Sequence, residues 1–216
     1  MSLPFITSGD IDRAIPLVRD HLAAGGLLAY PTETVYGLGS APTEVALDAL
    51  ARLKGRPPKK PFLLLVSSEK MPEEWGLVYS RAASALAAAF WPGPLTLVLR
   101  GGEGRLPDRL RGAEGGIGVR YTSHRGIRRL IEACQMPLTS TSANRPGGPP
   151  AAGAAGVDAL FPDAVRTGEL LVLDGGVLGN VPPSTLVDCT EQIPRLVREG
   201  AIPRGELRRA VGSLAP

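Results

Sequence analysis

The 216-residue sequence predicts a single α/β domain in which helices flank a twisted sheet of parallel and antiparallel strands. Strand-like apolar runs alternate with segments of helical periodicity along the chain, as is typical of α/β folds. The alternation lacks the strict rhythm of a doubly wound parallel sheet, so we expect a mixed sheet. No repeat and no break in composition marks a linker. Residues 1–216 are therefore expected to form one domain, with no additional C-terminal domain.

The first elements are predicted to be an amphipathic helix and a short buried strand. Apolar residues recur at helical spacing between Ser8, the expected N-cap, and Gly25, the expected stop. The apolar run at 26–30 then predicts a strand. It ends at Pro31, because proline cannot donate a hydrogen bond to a sheet.

The remaining elements follow from the same two periodicities. A helix from Thr43 carries Lys54 and Arg56 at its far end, and further helices are expected around 82–90, 127–134 and 202–211. Further strands are expected at 62–66, 95–99, 117–121, 137–142, 170–173, 184–189 and 195–198. The glycine-rich segment 101–116 is expected to be a loop.

The bulk composition is that of an ordinary soluble protein. The formal net charge of +3 is too small to indicate a nucleic-acid-binding protein by itself. No apolar run approaches the roughly 20 residues of a membrane span, so we expect a cytoplasmic protein without membrane contact. The two cysteines, Cys134 and Cys189, lie far apart and outside any CxxC pair. We expect buried, inert thiols and no metal ligands.

The most informative segment joins the first buried strand to the helix from Thr43. Three polar residues, Thr32, Glu33 and Thr34, stand where the strand ends, and Lys54 and Arg56 follow on the helix. Polar groups at a strand end with cations nearby favour an anionic small molecule. The alternative is that both cations are solvated and only complement the C-terminal end of the helix dipole.

Three other positions indicate binding groups. The hydroxyls and amide at 140–144 suit a ligand, or cap their own turn. Arg120 lies in an apolar strand and needs an anionic partner, which is either a ligand or a structural carboxylate. Ser184 and Arg198 raise the same question near the end of the chain.

Several catalytic classes lack their motifs. The sequence has no GxxxxGK[ST] loop, no GxGxxG between strand and helix, no HExxH and no GxSxG. The only histidines, His21 and His124, are expected to be surface residues and not catalytic bases.

Together these segments resemble the L-threonylcarbamoyladenylate synthase family, whose members have a YrdC-like fold. The matching segments occur in family order at 30–39, 54–57, 91–96, 118–120, 140–144, 183–188 and 198–200. The resemblance implies a nucleotidyltransferase that joins L-threonine, bicarbonate (or CO2) and ATP into threonylcarbamoyl-AMP and pyrophosphate, with Mg2+ assisting. The product would serve to modify the adenosine next to the tRNA anticodon, with tRNA contacted directly or through a downstream transferase complex.

The resemblance also implies roles for single residues. Lys54 and Arg56 are expected to be catalytic and to hold the phosphates. The residues expected to bind threonine are Thr34, Arg120, Ser140 and Ser184. The residues expected to bind ATP are Lys54, Arg56, Lys60, Ser142, Asn144 and Arg198. Leu65 and Pro150 depart from the family pattern, since some members have histidine and serine there.

Two alternatives remain open at this point. One is a non-catalytic RNA-binding protein of the same fold, with a basic face formed by arginines of the 105–111 loop and of the helix that starts near Arg125. The other is a paralogue that acts on a different carbamoyl or adenylate substrate.

The predicted role of Arg56 can be tested by substitution. Arg56→Ala should lower turnover by about a hundredfold, because it removes a charge donor that stabilises the transition state. Steady-state kinetics on the purified variant measures this, and near-normal turnover would remove Arg56 from the active site.

Overall fold

A computed structural model describes residues 2–55, 61–179 and 181–215. Arg56 and Lys60 lie outside the described residues. The predicted helices are confirmed, and their bounds are α1 Ser8–Ala23, α2 Glu44–Lys54, α4 Arg81–Phe90, α5 Arg125–Cys134 and α8 Arg204–Val211. The predicted strands are confirmed as β2 Leu27–Tyr30, β4 Leu63–Val66, β6 Leu95–Gly101, β7 Ile117–Tyr121, β8 Leu138–Ser142, β9 Leu170–Asp174, β10 Thr185–Asp188 and β11 Arg195–Arg198.

Six short elements are not predicted by the sequence. They are β1 Ser2–Pro4, β3 Gly37–Gly39, α3 Met71–Glu74, β5 Leu77–Val78, α6 Ala154–Leu160 and α7 Pro162–Thr167. None exceeds seven residues, which is too short for a periodic pattern to stand out. Gly101, expected in the loop, is the last residue of β6, and residues 102–116 form the expected loop, interrupted by a 3₁₀ turn at Asp108–Leu110.

The sheet is mixed, as predicted. The strand order is β1-β9-β2-β3-β8-β4-β7-β6-β10-β11, with β5 paired to β6. The pairs β1–β9, β2–β9, β4–β7 and β6–β10 are parallel, and the remaining neighbours are antiparallel. Among the described residues no helix is long and apolar enough to cross a membrane.

Helix α1 begins one residue earlier than the sequence predicts. Its N-cap is Thr7, not Ser8, because the Thr7 hydroxyl accepts from the backbone N–H of Asp10 and the Asp10 carboxylate accepts from the backbone N–H of Thr7. This reciprocal capping box satisfies two donors that a helix start otherwise leaves unpaired.

Both histidines have local structural roles and are half-buried, so the expected surface positions are wrong. The Nε2 atom of His21 lies 2.8 Å from the Leu27 carbonyl oxygen, which joins α1 to β2. His124 is the N-cap of α5, and its Nδ1 accepts from the backbone N–H of Ile127 at 3.3 Å.

The central strand β3 is built from glycines because an aromatic side chain lies across it. The ring of Tyr30, from the neighbouring β2, passes over Gly37 and Gly39, and its hydroxyl donates to the Thr139 carbonyl oxygen at 3.1 Å. A Cβ atom on Gly39 would lie 2.0 Å from that oxygen. The close approach of β3 to β8 therefore requires glycine at position 39.

The glycine requirement predicts a stability difference. Gly39→Ala should lower the free energy of unfolding by about 3 kcal/mol, because a backbone oxygen cannot move aside without displacing a central strand. Gly205→Ala is the matched control: a methyl group added to Gly205, in α8, would meet no described atom within 4 Å apart from its chain neighbours and the backbone of its own helix. Alanine also favours helix by about 1 kcal/mol. Urea unfolding of both variants measures the difference, and equal midpoints would contradict the packing argument.

Candidate active site on the open face of the sheet

The predicted binding residues share one face of the sheet. Side chains directly opposite each other on neighbouring strands point to the same face, and alternate residues along a strand share a face. Ser140 of β8 is paired with Leu63 of β4, and Leu65 of β4 is paired with Arg120 of β7. Ser140, Ser142 and Arg120 therefore lie on one face.

The same reasoning extends to the far side of the sheet. Leu186 of β10 is paired with both Thr96 of β6 and Arg198 of β11, which places these three side chains on a common face. Val98 of β6 is paired with Gly118 of β7, so Thr96, two residues before Val98, shares a face with Arg120, two residues after Gly118. This face is less covered than the opposite one, since its partly exposed residues also include Leu63, Gly118, Val98 and Leu186.

Arg120 is the buried centre of the first cluster. Its residue exposure is 5%, and its Nη2 atom lies 2.8 Å from Oε1 of Glu33. Both terminal nitrogens donate to the Thr34 hydroxyl, at 3.1 and 3.2 Å, and Nε donates to the Gly93 carbonyl oxygen at 3.3 Å. A structural carboxylate thus pairs with Arg120, which is one of the two alternatives that the sequence leaves open.

Glu33 has further partners of its own. Its second oxygen accepts from the Thr122 hydroxyl at 2.5 Å, and its first accepts from the Ser123 backbone N–H at 3.1 Å. Burial by itself would raise the pKa of Glu33. The positive charge of Arg120 and the donated hydrogen bonds outweigh burial and hold that pKa below its usual value.

Ser184 and Arg198 form the second cluster. The hydroxyls of Ser184 and Thr96 lie 2.9 Å apart, and Arg198 Nη2 donates to the Ser184 carbonyl oxygen at 2.8 Å. Partial burial and the nearby charge of Arg120 lower the pKa of Arg198. Arg198 lies on the same face as Arg120, with strands β6 and β10 between them, and it is exposed to solvent.

Lys54, Ser142 and Asn144 form the third cluster. Lys54 is 5% exposed, and its ammonium donates to the backbone oxygens of Ser142 and Asn144 at 2.5 and 2.6 Å and to Oδ1 of Asn144. The Ser142 hydroxyl donates to the same Oδ1 at 2.6 Å, and Nδ2 of Asn144 donates to the Gly148 carbonyl oxygen at 2.6 Å. Lys54 thus joins the end of α2 to the turn after β8.

Ser140 stands between the clusters, beside the Tyr30 hydroxyl. Burial raises the pKa of Tyr30, and the Ser140 hydroxyl beside it acts in the opposite direction. Tyr30 therefore remains a neutral donor at physiological pH.

Leu65 is buried next to Arg120 in the sheet and can supply only apolar contact to a ligand.

Two residues of this site have no binding role in the sequence-based prediction. The sequence presents Glu33 only as a polar residue at a strand end, and Thr96 only as part of a matching motif. A signal for Glu33 is present, since a buried arginine requires an anion and Glu33 adjoins Thr34. The partner cannot be assigned without the fold, because Glu33 and Arg120 lie far apart along the chain.

Neither cysteine belongs to these clusters. Cys189 is buried as expected, while Cys134 is half-buried, so the expected burial is wrong for Cys134. Burial raises the pKa of both thiols, that of Cys189 to about 12. Within residues 2–55, 61–179 and 181–215 no three His, Cys, Asp or Glu side chains are grouped to hold a metal ion.

Comparison with known proteins identifies the family. The profile of the Sua5/YciO/YrdC family, which is described as "Telomere recombination", matches residues 20–200. This chain belongs to that family. The YrdC-like fold predicted from the sequence is therefore confirmed.

Individual relatives agree with this assignment. The chain is 41% identical over 175 residues to the threonylcarbamoyl-AMP synthase of Chromohalobacter salexigens, covering 79% of this chain and 91% of that protein. It is 34% identical over 201 residues to the Pyrococcus abyssi threonylcarbamoyl-AMP synthase, covering 93% of this chain. The chain spans 58% of the length of that archaeal relative.

Solved structures give the same result. P. abyssi Sua5 complexed with L-threonine matches with a TM-score of 0.86 and 32% identity, over 100% of this chain and 62% of that one. Escherichia coli YciO matches with a TM-score of 0.80 and 26% identity, over 93% of this chain and 94% of the other.

The lowered pKa of Glu33 predicts how stability depends on pH. A glutamate whose folded-state pKa is depressed stabilises the fold at pH values above its unfolded pKa, and this contribution is lost as pH falls through the folded pKa. In the wild type the free energy of unfolding should therefore fall as the pH drops below about 4.5, and in Glu33→Gln it should fall less steeply. Urea unfolding across this range measures both curves, and parallel curves would show that Glu33 has no such shift.

Proposed function

We propose that this protein is a threonylcarbamoyl-AMP synthase, which joins L-threonine, bicarbonate (or CO2) and ATP and releases pyrophosphate. The observation that carries the proposal is the placement of Arg120 and Arg198 on one open face of the sheet, with Thr96 and Ser184 between them. Two guanidinium groups repel when held close together, and an anionic ligand between them removes that repulsion. The synthases among the relatives support the choice of reaction.

The chemistry consists of two bond-forming steps. The amine of L-threonine adds to CO2 and loses a proton, which gives an N-carboxylate. One oxygen of this carboxylate attacks the α-phosphorus of ATP, and the bond from that phosphorus to the bridging oxygen breaks as pyrophosphate leaves. The N-carboxylate, ATP and the departing pyrophosphate are all anionic, so the protein has to align them and neutralise their charge.

The amino-acid end of the site would be formed by the first two clusters. Arg120 and Arg198 attract the carboxylate, while the hydroxyls of Thr34, Ser140 and Ser184 line the face beside them. Hydroxyls both donate and accept hydrogen bonds, which suits an amine, a hydroxyl or a carboxylate of the substrate.

The nucleotide end would be formed by the third cluster. Lys54 brings a buried positive charge to the turn that carries Ser142 and Asn144. Arg56 and Lys60 follow Lys54 in the sequence and are proposed to meet the phosphates. Arg198 is proposed to contact the nucleotide as well, since it lies on the open face next to Ser184. Mg2+ is included in the proposal as a partner of the triphosphate, whose oxygens are the ligands it prefers.

The alternative of a non-catalytic RNA-binding protein has less support. Most arginines proposed for the basic face already contact groups of the protein: Arg105 with the Glu74 carbonyl oxygen, Arg109 with Asp48, Arg111 with Asp108, Arg128 with the Tyr121 ring, and Arg129 with Asp12. Arg109, Arg111 and Arg129 are paired with carboxylates, and charges paired in this way contribute less to a field that attracts phosphates. The proposed product would instead reach tRNA through a downstream transferase complex.

The proposed reaction is tested directly by its product. Purified protein incubated with ATP, Mg2+, bicarbonate and L-threonine should form threonylcarbamoyl-AMP and pyrophosphate, and omission of any one of the three substrates should abolish both. Mass spectrometry detects the adduct. No adduct from protein that binds ATP would favour a paralogue with another acceptor, whereas salt-dependent tRNA binding without ATP turnover would favour the RNA-binding alternative.

A matched pair of variants locates the reaction on the open face. Arg198→Gln should lower turnover at least tenfold, because it removes one of the two guanidinium charges. Arg166→Gln is the control, since Arg166 is an exposed arginine of α7 that pairs with Asp163 of its own helix. Equal losses in both variants would argue against a site at Arg198.

A further inference from the structure

Among the residues that the structure describes, Glu33 is the one carboxylate that contacts the arginine at the centre of the site. It stands in the loop between β2 and β3, and its two oxygens reach three different groups of β7 and the following loop: Arg120, Thr122 and Ser123. Its side chain is 19% exposed. These contacts hold the carboxylate in a fixed position at the edge of the open face.

The contacts around Arg120 fix the plane of its guanidinium. Gly93 accepts from Nε, Thr34 accepts from both terminal nitrogens, and Glu33 lies beside Nη2. A planar guanidinium that is held on three sides cannot rotate freely about its last bonds. The direction in which it presents its charge is therefore set by the protein.

The Thr34 hydroxyl is itself oriented by a short chain of hydrogen bonds. The Thr32 hydroxyl donates to the Val35 carbonyl oxygen at 2.7 Å, accepts from the backbone N–H groups of Thr34 and Val35, and lies 3.0 Å from the Thr34 hydroxyl. The lone pairs of the Thr34 hydroxyl face Arg120, whose two terminal nitrogens donate to it. Thr34 supplies no charge, so Glu33 alone among these contacts balances the charge of Arg120.

This balance matters because Arg198 carries a second positive charge on the same face, where it contacts Ser184, which in turn contacts Thr96 beside Arg120. The pKa of Arg198 is lowered by burial and by the charge of Arg120. Without Glu33, only the uncharged partners Thr34 and Gly93 would hold Arg120, and repulsion from Arg198 would favour a turn away from it. With Glu33, both guanidinium groups stay on the same part of the face.

We propose that Glu33 is a positioning residue, whose carboxylate fixes Arg120 so that Arg120 and Arg198 receive the carboxylate of the amino-acid substrate together. The proposal rests on the proposed synthase function for the identity of that substrate. It assigns Glu33 no contact with the reacting atoms. Glu33 therefore governs how tightly the amino acid binds and leaves the chemical step and the nucleotide end unchanged.

The decisive experiment separates binding of the two substrates. Glu33→Gln keeps the shape of the side chain and removes its charge. It should raise the KM for L-threonine about tenfold or more, while kcat and the KM for ATP stay within about twofold. Glu33→Asp keeps the charge on a shorter arm and should restore part of the loss.

Asp188→Asn is the matched structural control. Asp188 is also a buried carboxylate that accepts from a threonine hydroxyl and a backbone N–H, both of Thr190, and pairs with an arginine, Arg195. We expect a comparable loss of thermal stability and an unchanged KM for L-threonine. A rise in the KM for L-threonine in both variants, or in neither, would overturn the positioning role.

A second readout does not depend on turnover. In the wild type, NMR of arginine side chains should show slow rotation of the Arg120 guanidinium, and in Glu33→Gln this rotation should become fast, with Arg120→Lys used to assign the signal. Slow rotation in both proteins would overturn the proposal even if the enzyme is active. If the wild type forms no adduct but the rotation changes as expected, the synthase function fails and the positioning of Arg120 by Glu33 stands.

Discussion

A buried positive charge organises this site. Removing a guanidinium group from water costs several kcal/mol unless its donors and its charge are matched. Arg120 meets this requirement with partners from separate parts of the chain: Glu33 and Thr34 after β2, and Gly93 before β6. The Arg120 guanidinium thus connects β7 to two segments that lie far from it in the sequence.

Lys54 is a second buried cation that holds separate segments together, at the other end of the face. Its ammonium is almost fully buried and donates to three oxygens of one turn. The two cations therefore differ from surface lysines and arginines, which lose side-chain entropy in contacts that stabilise little. The fold holds their hydrogen-bond partners in place, and the packing around each cation in turn depends on its charge.

The sequence predicts the longer elements well because burial leaves a periodic pattern. The apolar strand at Leu63–Val66 and the amphipathic helix at Ser8–Ala23 are examples. Strand β3 escapes prediction for a physical reason: it consists of Gly37, Leu38 and Gly39, and glycine has a low preference for strands. What makes it a strand is its pairing with β2 and β8 beneath the Tyr30 ring, which only tertiary structure provides.

For the site, the sequence predicts which residues need a binding partner more reliably than it predicts which group that partner is. An arginine in a buried strand indicates that an anion is near, and Arg120 does have one. The sequence does not say that this anion is Glu33 and not a ligand, since contact between distant segments depends on strand order and register. The positions of Arg56 and Lys60 lie outside the described residues, so their predicted roles stay predictions.

The hydrogen bonds of Lys54 have a mechanical consequence. Because one ammonium group clamps the end of α2 to the turn after β8, the helix and the turn cannot shift independently. Any oxygen-rich ligand that competes for those protons must loosen the clamp, and it does so for both segments at once. Lys54 thereby couples the position of the helix end to the positions of Ser142 and Asn144.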